Sequence, residues 1–496
     1  YYFSKGSSAT FVQRLSLFFS IYWKSILVVI TPILLLPIPI LYTDPTDKDY
    51  AFKCMYVVLI MATYWVLELL PLPVTSMLPI VLFPTLGILN SDKVCAAYMK
   101  ETNMMFMGGL MIAAGVQHSK LPKRVALWTV QVVGCSHRRL NLGLTFVTMF
   151  ISMWVSNAAA TTMMVPIVEA ILEVFEQKAL PENGKEEKPT NKKQTEEEPL
   201  LPSDITICYF LSIAYASTLG GCGTLVGTAT NSAFKGIYDS EFPEVSGSVD
   251  FFWFMVYSTP PMLVMQFLVW VALQVTFMGL FRPNSEAAKR VNRASSGSEN
   301  TMKVIKEQYK KLGPASFHEK ASGMLFLLAV ALYIFRKPGF MLGRCGPAYS
   351  FQDILYKSLI KDSHYVLFIS GGGFALAEGS KATGLSKMIG ESLMGLQGLP
   401  HPVVLLVVVL VTQFITEFTS NVAIANLILP VLANMALALH MDPRYLMVPA
   451  TLACSMAFHM PVGTPPNAIV AGVAHIPTSK MVSLVFVYLS LVLIII

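Results

Sequence analysis

The sequence predicts an all-α protein that crosses a membrane many times and is built from two related halves. Three observations predict it. The chain has 496 residues, 54% hydrophobic and only 13% charged, where a soluble domain carries about 25% charged residues. Apolar runs at 25–42, 55–70 and 262–281 are near the roughly 20 residues that span a bilayer as a helix. Finally, FISMWVSNAAATTMMVP at 150–166 returns as FITEFTSNVAIANLILP at 414–430, a constant offset of 264 residues.

The long apolar runs lack strict alternation, which argues against a β-barrel. The first run is long enough to remain as a span, so the chain is not read as opening on a cleaved signal peptide. The seven cysteines are scattered and form no CxxC. They read as buried small hydrophobes. A net charge of +6 calls for no nucleic acid, since basic residues gather in loops between spans as the positive-inside bias expects.

Two hydrophilic segments interrupt the pattern. Residues 177–204 are mixed in charge and read as a solvated loop. Residues 282–320 hold nine Lys/Arg against four Glu, which places them on the cytoplasmic side. Within them KVIKEQYKKL reads as a surface helix. The resulting division is 1–102, N-terminal spans; 103–176, first-repeat hairpin and interrupted helix; 177–204, loop; 205–281, the rest of the first repeat and a span; 282–320, basic loop; 321–363, a span and a short linker; 364–496, the second repeat.

The repeat extends beyond the Ser-Asn motif. Gly108-Gly109-Leu110 matches Gly372-Gly373-Phe374 at the same offset. Val226-Gly227-Thr228 with Asn231 matches Val462-Gly463-Thr464 with Asn467 at an offset of 236. The difference of 28 is the length of the 177–204 loop. Three ordered motifs in register argue for duplication, and duplicated halves with interrupted helices mark secondary transporters.

An unmet amide in hydrocarbon costs several kcal/mol, so a mid-span Ser-Asn needs a partner. For one isolated Asn, packing between helices is the ordinary explanation; repetition in both halves favours function. A helix broken at Ser156-Asn157 or Ser420-Asn421 exposes N–H donors and a positive dipole end that suit an anion. Side-chain oxygens of Ser152, Ser156 and Asn157, and of Thr416, Ser420 and Asn421, lie within one turn of each break. Oxygen ligands suit a hard cation such as Na⁺. Gly and Pro at 227–229 and 463–466 would bring a loop to the same place. The glycines at 108–109 and 371–373 fit either tight hairpin bends or close helix packing. Glu68, Glu378 and Glu417 sit in or beside apolar segments, with Glu417 best placed and read chiefly as a loop support. No HExxH, GxSxG or GxxxxGK[ST] occurs, so no enzyme is expected.

SNAAATTMMVPIVEAILE, TEFTSNVAIANLILPVLA, TLGGCGTLVGTATN and MPVGTPPNAIVAG resemble the divalent-anion/sodium symporter family, closest to its insect Indy-type citrate/dicarboxylate members. The resemblance covers nearly the whole chain. It implies an inverted-repeat, elevator-type homodimer in the plasma membrane. Each protomer would pair a scaffold with a transport domain containing two re-entrant hairpins and two broken helices. By motif match it implies substrate contacts at Ser156, Asn157, Ala158, Thr228, Gly372, Ser420, Asn421, Val422 and Thr464. It implies candidate sodium ligands at Ser152, Ser156, Asn157, Gly221 and Gly227, and at Thr416, Asn421 and Gly463. The partners implied are small di- and tricarboxylate anions and membrane lipid. No cofactor is expected besides Na⁺, whose coupling stays open.

Ala158 stands where sodium-coupled relatives carry Thr, which points to sodium-independent exchange of citrate and C4-dicarboxylates. A sodium-coupled di/tricarboxylate or sulfate symporter is the alternative. The stretch 344–365 is too polar to form a span that the family has there, and the C-terminus stops short of the family's last span. A non-transporting splice form or incomplete chain is therefore the further alternative.

Overall fold

The interrupted Ser-Asn motifs organise the architecture. The computed structural model describes residues 11–41, 49–99, 121–133, 136–176, 203–245, 248–282, 309–335, 360–385, 399–461 and 463–482, with a few single positions between. Every regular element among the described residues is helical. Helices α1 (Phe11–Leu35), α2 (Pro37–Leu41) and α3 (Asp49–Val66) open the chain. Short helices α4 (Leu72–Ser76), α5 (Leu78–Thr85) and α6 (Ser91–Tyr98) follow. Then come α7 (Leu121–Val133), α8 (His137–Ser152), α9 (Asn157–Glu176), α10 (Asp204–Gly221), α11 (Ala229–Glu241) and α12 (Phe251–Phe277). Helix α13 (Phe317–Phe335) precedes α14 (Ile360–Ala382), α15 (His401–Thr416) and α16 (Asn421–Ala438). The last are α17 (Pro443–Cys454), α18 (Pro465–Ala474) and α19 (Thr478–Val482).

Local chemistry starts several of these helices. Ser203 caps α10 by accepting from Thr206 N at 3.2 Å, Asp250 caps α12 through Trp253 N at 2.7 Å, and Asp442 caps α17 through Arg444 N at 2.9 Å. Helix α12 has 27 residues, about 40 Å at 1.5 Å per residue, enough to cross a bilayer of about 30 Å with tilt. Its outer face shows Val256, Val264 and Phe267 about half exposed, whereas Met262, Met265, Val269 and Leu273 are fully buried. Helix α10 is buried on every side from Ile207 to Gly221, as befits a helix that is apolar all round.

Packing repeats between the halves. Helix α8 packs on α10, and α15 packs on α17. Helix α9 also packs on α10, as α16 does on α17. Across the halves, α9 meets α18 and α16 meets α11. A single core therefore runs through both.

The glycines at 371–373 differ from the bend reading. They lie inside the 23-residue helix α14 and are buried. Close approach explains them. A Cβ on Gly371 would stand 2.2 Å from the Tyr98 ring, one on Gly372 2.5 Å from Ser76 O, and one on Gly373 2.1 Å from Asn426 Cγ. Helix α14 also begins at Ile360, ahead of the boundary placed at 364, because helix continues through the polar 361–364 stretch. Helix α13 likewise starts at Phe317, ahead of 321. Of the matching first-half glycines, Gly108 is helical and buried, and 109–110 lie outside the described residues. So do 177–202, 336–359 and 483–496, on which the solvated-loop, missing-span and C-terminal expectations fall.

Gly373→Ala should lower the melting temperature of the detergent-purified protein, since overpacking a tight contact costs about 1–3 kcal/mol. Gly472→Ala, in α18 with nothing within 4 Å of its would-be Cβ, should leave it unchanged or raise it. Equal behaviour of the two variants would remove the close-packing explanation.

Candidate functional site

Both Ser-Asn motifs interrupt a helix. Helix α8 ends at Ser152, the chain turns through 153–155, and α9 begins at Asn157. Helix α15 ends at Thr416, the chain turns through 417–419, and α16 begins at Asn421. The first bonds inside the new helices match: Ala160 N donates to Ser156 O at 2.9 Å, and Ile424 N to Ser420 O at 3.1 Å. The N–H groups of the first turn, 157–159 and 421–423, have no acceptor within their own helix. Ser420 caps α16 without a side-chain hydrogen bond.

The same triad closes each break. Ser152 Oγ lies 2.9 Å from Asn157 Oδ1 and 2.6 Å from Ser217 O. Thr416 Oγ1 lies 3.0 Å from Asn421 Oδ1 and 2.8 Å from Cys454 O. Each break thus gathers a hydroxyl, a carboxamide oxygen and a main-chain carbonyl, all hard oxygen donors. Ser152 and Thr416 are fully buried. Ser156, Asn157 and Ala158, like Ser420, Asn421 and Val422, are only half-buried. The first turns of α9 and α16 therefore reach solvent-accessible space from within a packed core.

Two further loops arrive beside the breaks. Residues 222–228 join α10 to α11, and 455–464 join α17 to α18. Asn231 Nδ2 donates to Gly221 O at 3.0 Å and Thr224 O at 2.8 Å. Asn467 Nδ2 donates to Ala457 O at 2.9 Å and Met460 O at 3.1 Å. All three pairs keep the offset of 236. Thr228 and Thr464 both stand at N-caps in extended backbone, at φ −146° and −151°. Thr464 is buried and Thr228 half-buried. Glycine is required where these loops touch the breaks. A Cβ on Gly221 would fall 2.3 Å from Asn157 Oδ1, and one on Gly227 2.5 Å from Gly221 O. One on Gly463 would fall 2.9 Å from Ala457 Cβ and 3.3 Å from Glu417 Oε2.

The loops are tied across the halves. Thr230 Oγ1 is 2.8 Å from Ser455 Oγ and 3.3 Å from Thr228 Oγ1. Tyr215 OH donates to Phe458 O at 3.0 Å. Each break therefore meets its own loop, and these contacts join the halves. Gly372 faces Ser76 O of α4, so it packs α14 against the N-terminal helices.

Several contacts at the breaks have no signal in the sequence. The carbonyls of Ser217 and Cys454 leave no side-chain signal. Thr419 Oγ1 donates to Trp65 O at 3.0 Å, tying the second break to the end of α3. Glu417 is legible in the sequence as a loop support, but its partners are not. Its carboxylate accepts from Phe458 N at 2.9 Å, His459 N at 3.1 Å and Met460 N at 3.3 Å, and faces His459 Nδ1 at 2.7 Å. It supports the loop by hydrogen bonds, whereas Glu378 accepts from Ser240 Oγ at 3.1 Å. The end of α3 is fixed at Glu68, which has φ +47° and whose carbonyl accepts from Lys24 Nζ at 3.1 Å.

Asn231→Ala and Asn467→Ala should each destabilise the purified protein by about 1–3 kcal/mol, because two buried carbonyls lose their donor. Asn434→Ala, which removes a single bond to Pro430 O, should cost less. Thermal melts that rank Asn434→Ala as the most damaging would contradict this account of the loops.

The comparisons with known proteins concern the family. The family model described as the sodium:sulfate symporter transmembrane region matches residues 20–496. The protein "I'm not dead yet" of Drosophila melanogaster is 47% identical, over 94% of this chain and 86% of that protein. The Na(+)/citrate cotransporter of Rattus norvegicus is 32% identical, over 96% and 92%. The Na(+)/dicarboxylate cotransporter 3 of Mus musculus is 33% identical, over 92% and 88%. With its interrupted helices and a match over nearly its whole length, the chain belongs to the sodium:sulfate symporter family, whose members are multi-pass membrane transporters and not enzymes.

Proposed function

We propose that this chain is a secondary carrier of citrate and C4-dicarboxylates across the plasma membrane. The single observation that carries the reading is the doubled triad: Ser152–Asn157–Ser217 O and Thr416–Asn421–Cys454 O, each closing a helix break. An anion's carboxylates would be met by the first-turn donors at 156–158 and 420–422, with Thr228 and Thr464 alongside. A small cation, where one is used, would sit among the oxygens of Ser152, Ser156, Asn157 and the Gly221–Gly227 loop, or of Thr416, Asn421 and the Gly463 loop. The names of the rat and mouse relatives support the substrate class.

In this reading the halves form an inverted repeat whose site at the bilayer midplane is exposed to each side in turn. The chain works as a homodimer, with 103–176 and 364–496 in the moving part and the N-terminal spans in the scaffold. Ala158 leaves no hydroxyl beside the first Asn, which favours sodium-independent exchange. Sodium-coupled uptake of the same acids, or of sulfate, is the second reading, and the relatives named as sodium cotransporters favour it.

Cells expressing the chain should take up labelled citrate and succinate above control. Asn157→Ala and Asn421→Ala should each reduce uptake to background, a loss of at least about tenfold if one charge-assisted contact of 1.5–3 kcal/mol is removed. Unchanged uptake in both variants would refute the site. Replacing sodium with choline separates the two readings: retained uptake supports exchange, and abolished uptake supports sodium coupling.

A further inference from the structure

The first break carries a hydroxyl pair that the second lacks. Thr161 stands one turn after Asn157 on α9, and Ser217 lies on α10. Their side-chain oxygens are 2.7 Å apart, and both residues are fully buried. An O···O separation of that length has a hydrogen between the two atoms. Thr161 Oγ1 also lies 2.9 Å from Asn157 O, and Ser217 Oγ lies 2.8 Å from Ala214 O. Two hydroxyls hold two hydrogens, so one of them joins α9 to α10 whichever way the other turns. At offsets of 264 and 236 the matching residues are Ala425 and Ala453. Both are fully buried, and an alanine side chain has neither donor nor acceptor.

We infer that Thr161 and Ser217 are positioning residues, which set the first turn of α9 on α10 and so fix where the Asn157 end of the site stands. The inference rests on the carrier reading above. Both limbs of the first break converge on Ser217. Ser152, the last residue of α8, has its Oγ 2.6 Å from the Ser217 carbonyl, and Thr161 of α9 meets the Ser217 hydroxyl. One turn along α10, a Cβ on Gly221 would fall 2.3 Å from Asn157 Oδ1. Asn157 therefore lies against the 217–221 turn, and Thr161 ties its helix to the start of that turn. The second break keeps a counterpart of the carbonyl contact, Thr416 to Cys454 O at 2.8 Å. Its Ala425 and Ala453 can supply no counterpart of the hydroxyl contact.

The pair acts through geometry. The free N–H groups of 157–159 belong to one helical turn, so a tilt of that turn displaces all of them together. Thr161 and Ser217 are buried, whereas 156–158 reach accessible space, so the hydroxyls act through Asn157 and not on a ligand. Small displacements of oriented groups are costly to binding and rate. Loss of the pair therefore weakens any carboxylate held at this break, and it weakens plain and hydroxylated acids alike.

The test compares uptake kinetics, per molecule at the cell surface, for citrate and succinate in wild type, Thr161→Val, Thr161→Ser and Ser217→Ala. Thr161→Val keeps the shape and removes the hydroxyl. Ser217→Ala puts in α10 the residue that α17 carries at the matching place. Each should raise the KM of both acids about three- to tenfold, the loss of roughly one hydrogen bond, with the maximal rate nearly unchanged. Thr161→Ser, which restores the hydroxyl, should return the KM to within about twofold of wild type. Thr148→Val is the control: Thr148 is fully buried on α8, and its hydroxyl donates to Leu144 O of its own helix at 2.7 Å. Its KM should not move. A wild-type KM in Thr161→Val or Ser217→Ala overturns the assignment, as does an equal rise in Thr148→Val. If only one of the two hydroxyl-lacking variants reaches the surface, its KM decides. If neither does, the pair is structural and the inference fails. Failure of the carrier reading looks different, because the wild type itself then shows no saturable uptake of either acid.

Discussion

The constraint on which the rest depends is the cost of leaving main-chain polar groups unmet inside a bilayer. A helix that stops in mid-span exposes carbonyls at one end and N–H groups at the other. This chain does so twice and meets the cost the same way each time. A hydroxyl one turn before the break reaches the carboxamide one residue past it and a carbonyl on the neighbouring helix. That arrangement requires α8 beside α10 and α15 beside α17, and both pairs are in contact. It requires glycine at 221, because any Cβ there would strike Asn157. The packing of the core follows from how the two interruptions are closed.

The loops that complete the site obey the same constraint. Each is an irregular segment in a buried place, and each is held by an Asn one turn into the following helix, which donates to two loop carbonyls. Irregular backbone at membrane depth is tolerated only where it is enclosed by protein or lines a cavity, and both loops are largely enclosed. Cross-links between them, Thr230 to Ser455 and Tyr215 to Phe458, join the halves at the level of the breaks. The rest of the molecule supports this centre. Thr419 anchors the second turn to the end of α3, and the glycines of α14 bring that helix against α4, α6 and α16.

The symmetry is one of backbone geometry, and side chains depart from it where chemistry requires. Glu417 and His459 replace Met153 and Gly223, so one loop is held by a carboxylate and the other by a hydroxyl and apolar contact.

By itself the sequence determined the membrane-helical class, the two breaks, the paired VGTxxN loops and the side-chain oxygens that gather at the breaks. Each of these is a local or periodic property: apolar runs, helix-breaking Ser-Asn and Gly-Pro steps, and motifs at constant offsets. Tertiary structure alone decided what partners those residues meet. Gly371–Gly373 could have been a bend or a packing face, and only Tyr98, Ser76 and Asn426 arriving from distant helices made them a packing face. The same holds for the carbonyls of Ser217 and Cys454 and for the pairing of Glu417 with His459. A carbonyl has no residue type to read, and two residues 42 positions apart in an apolar chain carry no mark of their contact until the loop folds back.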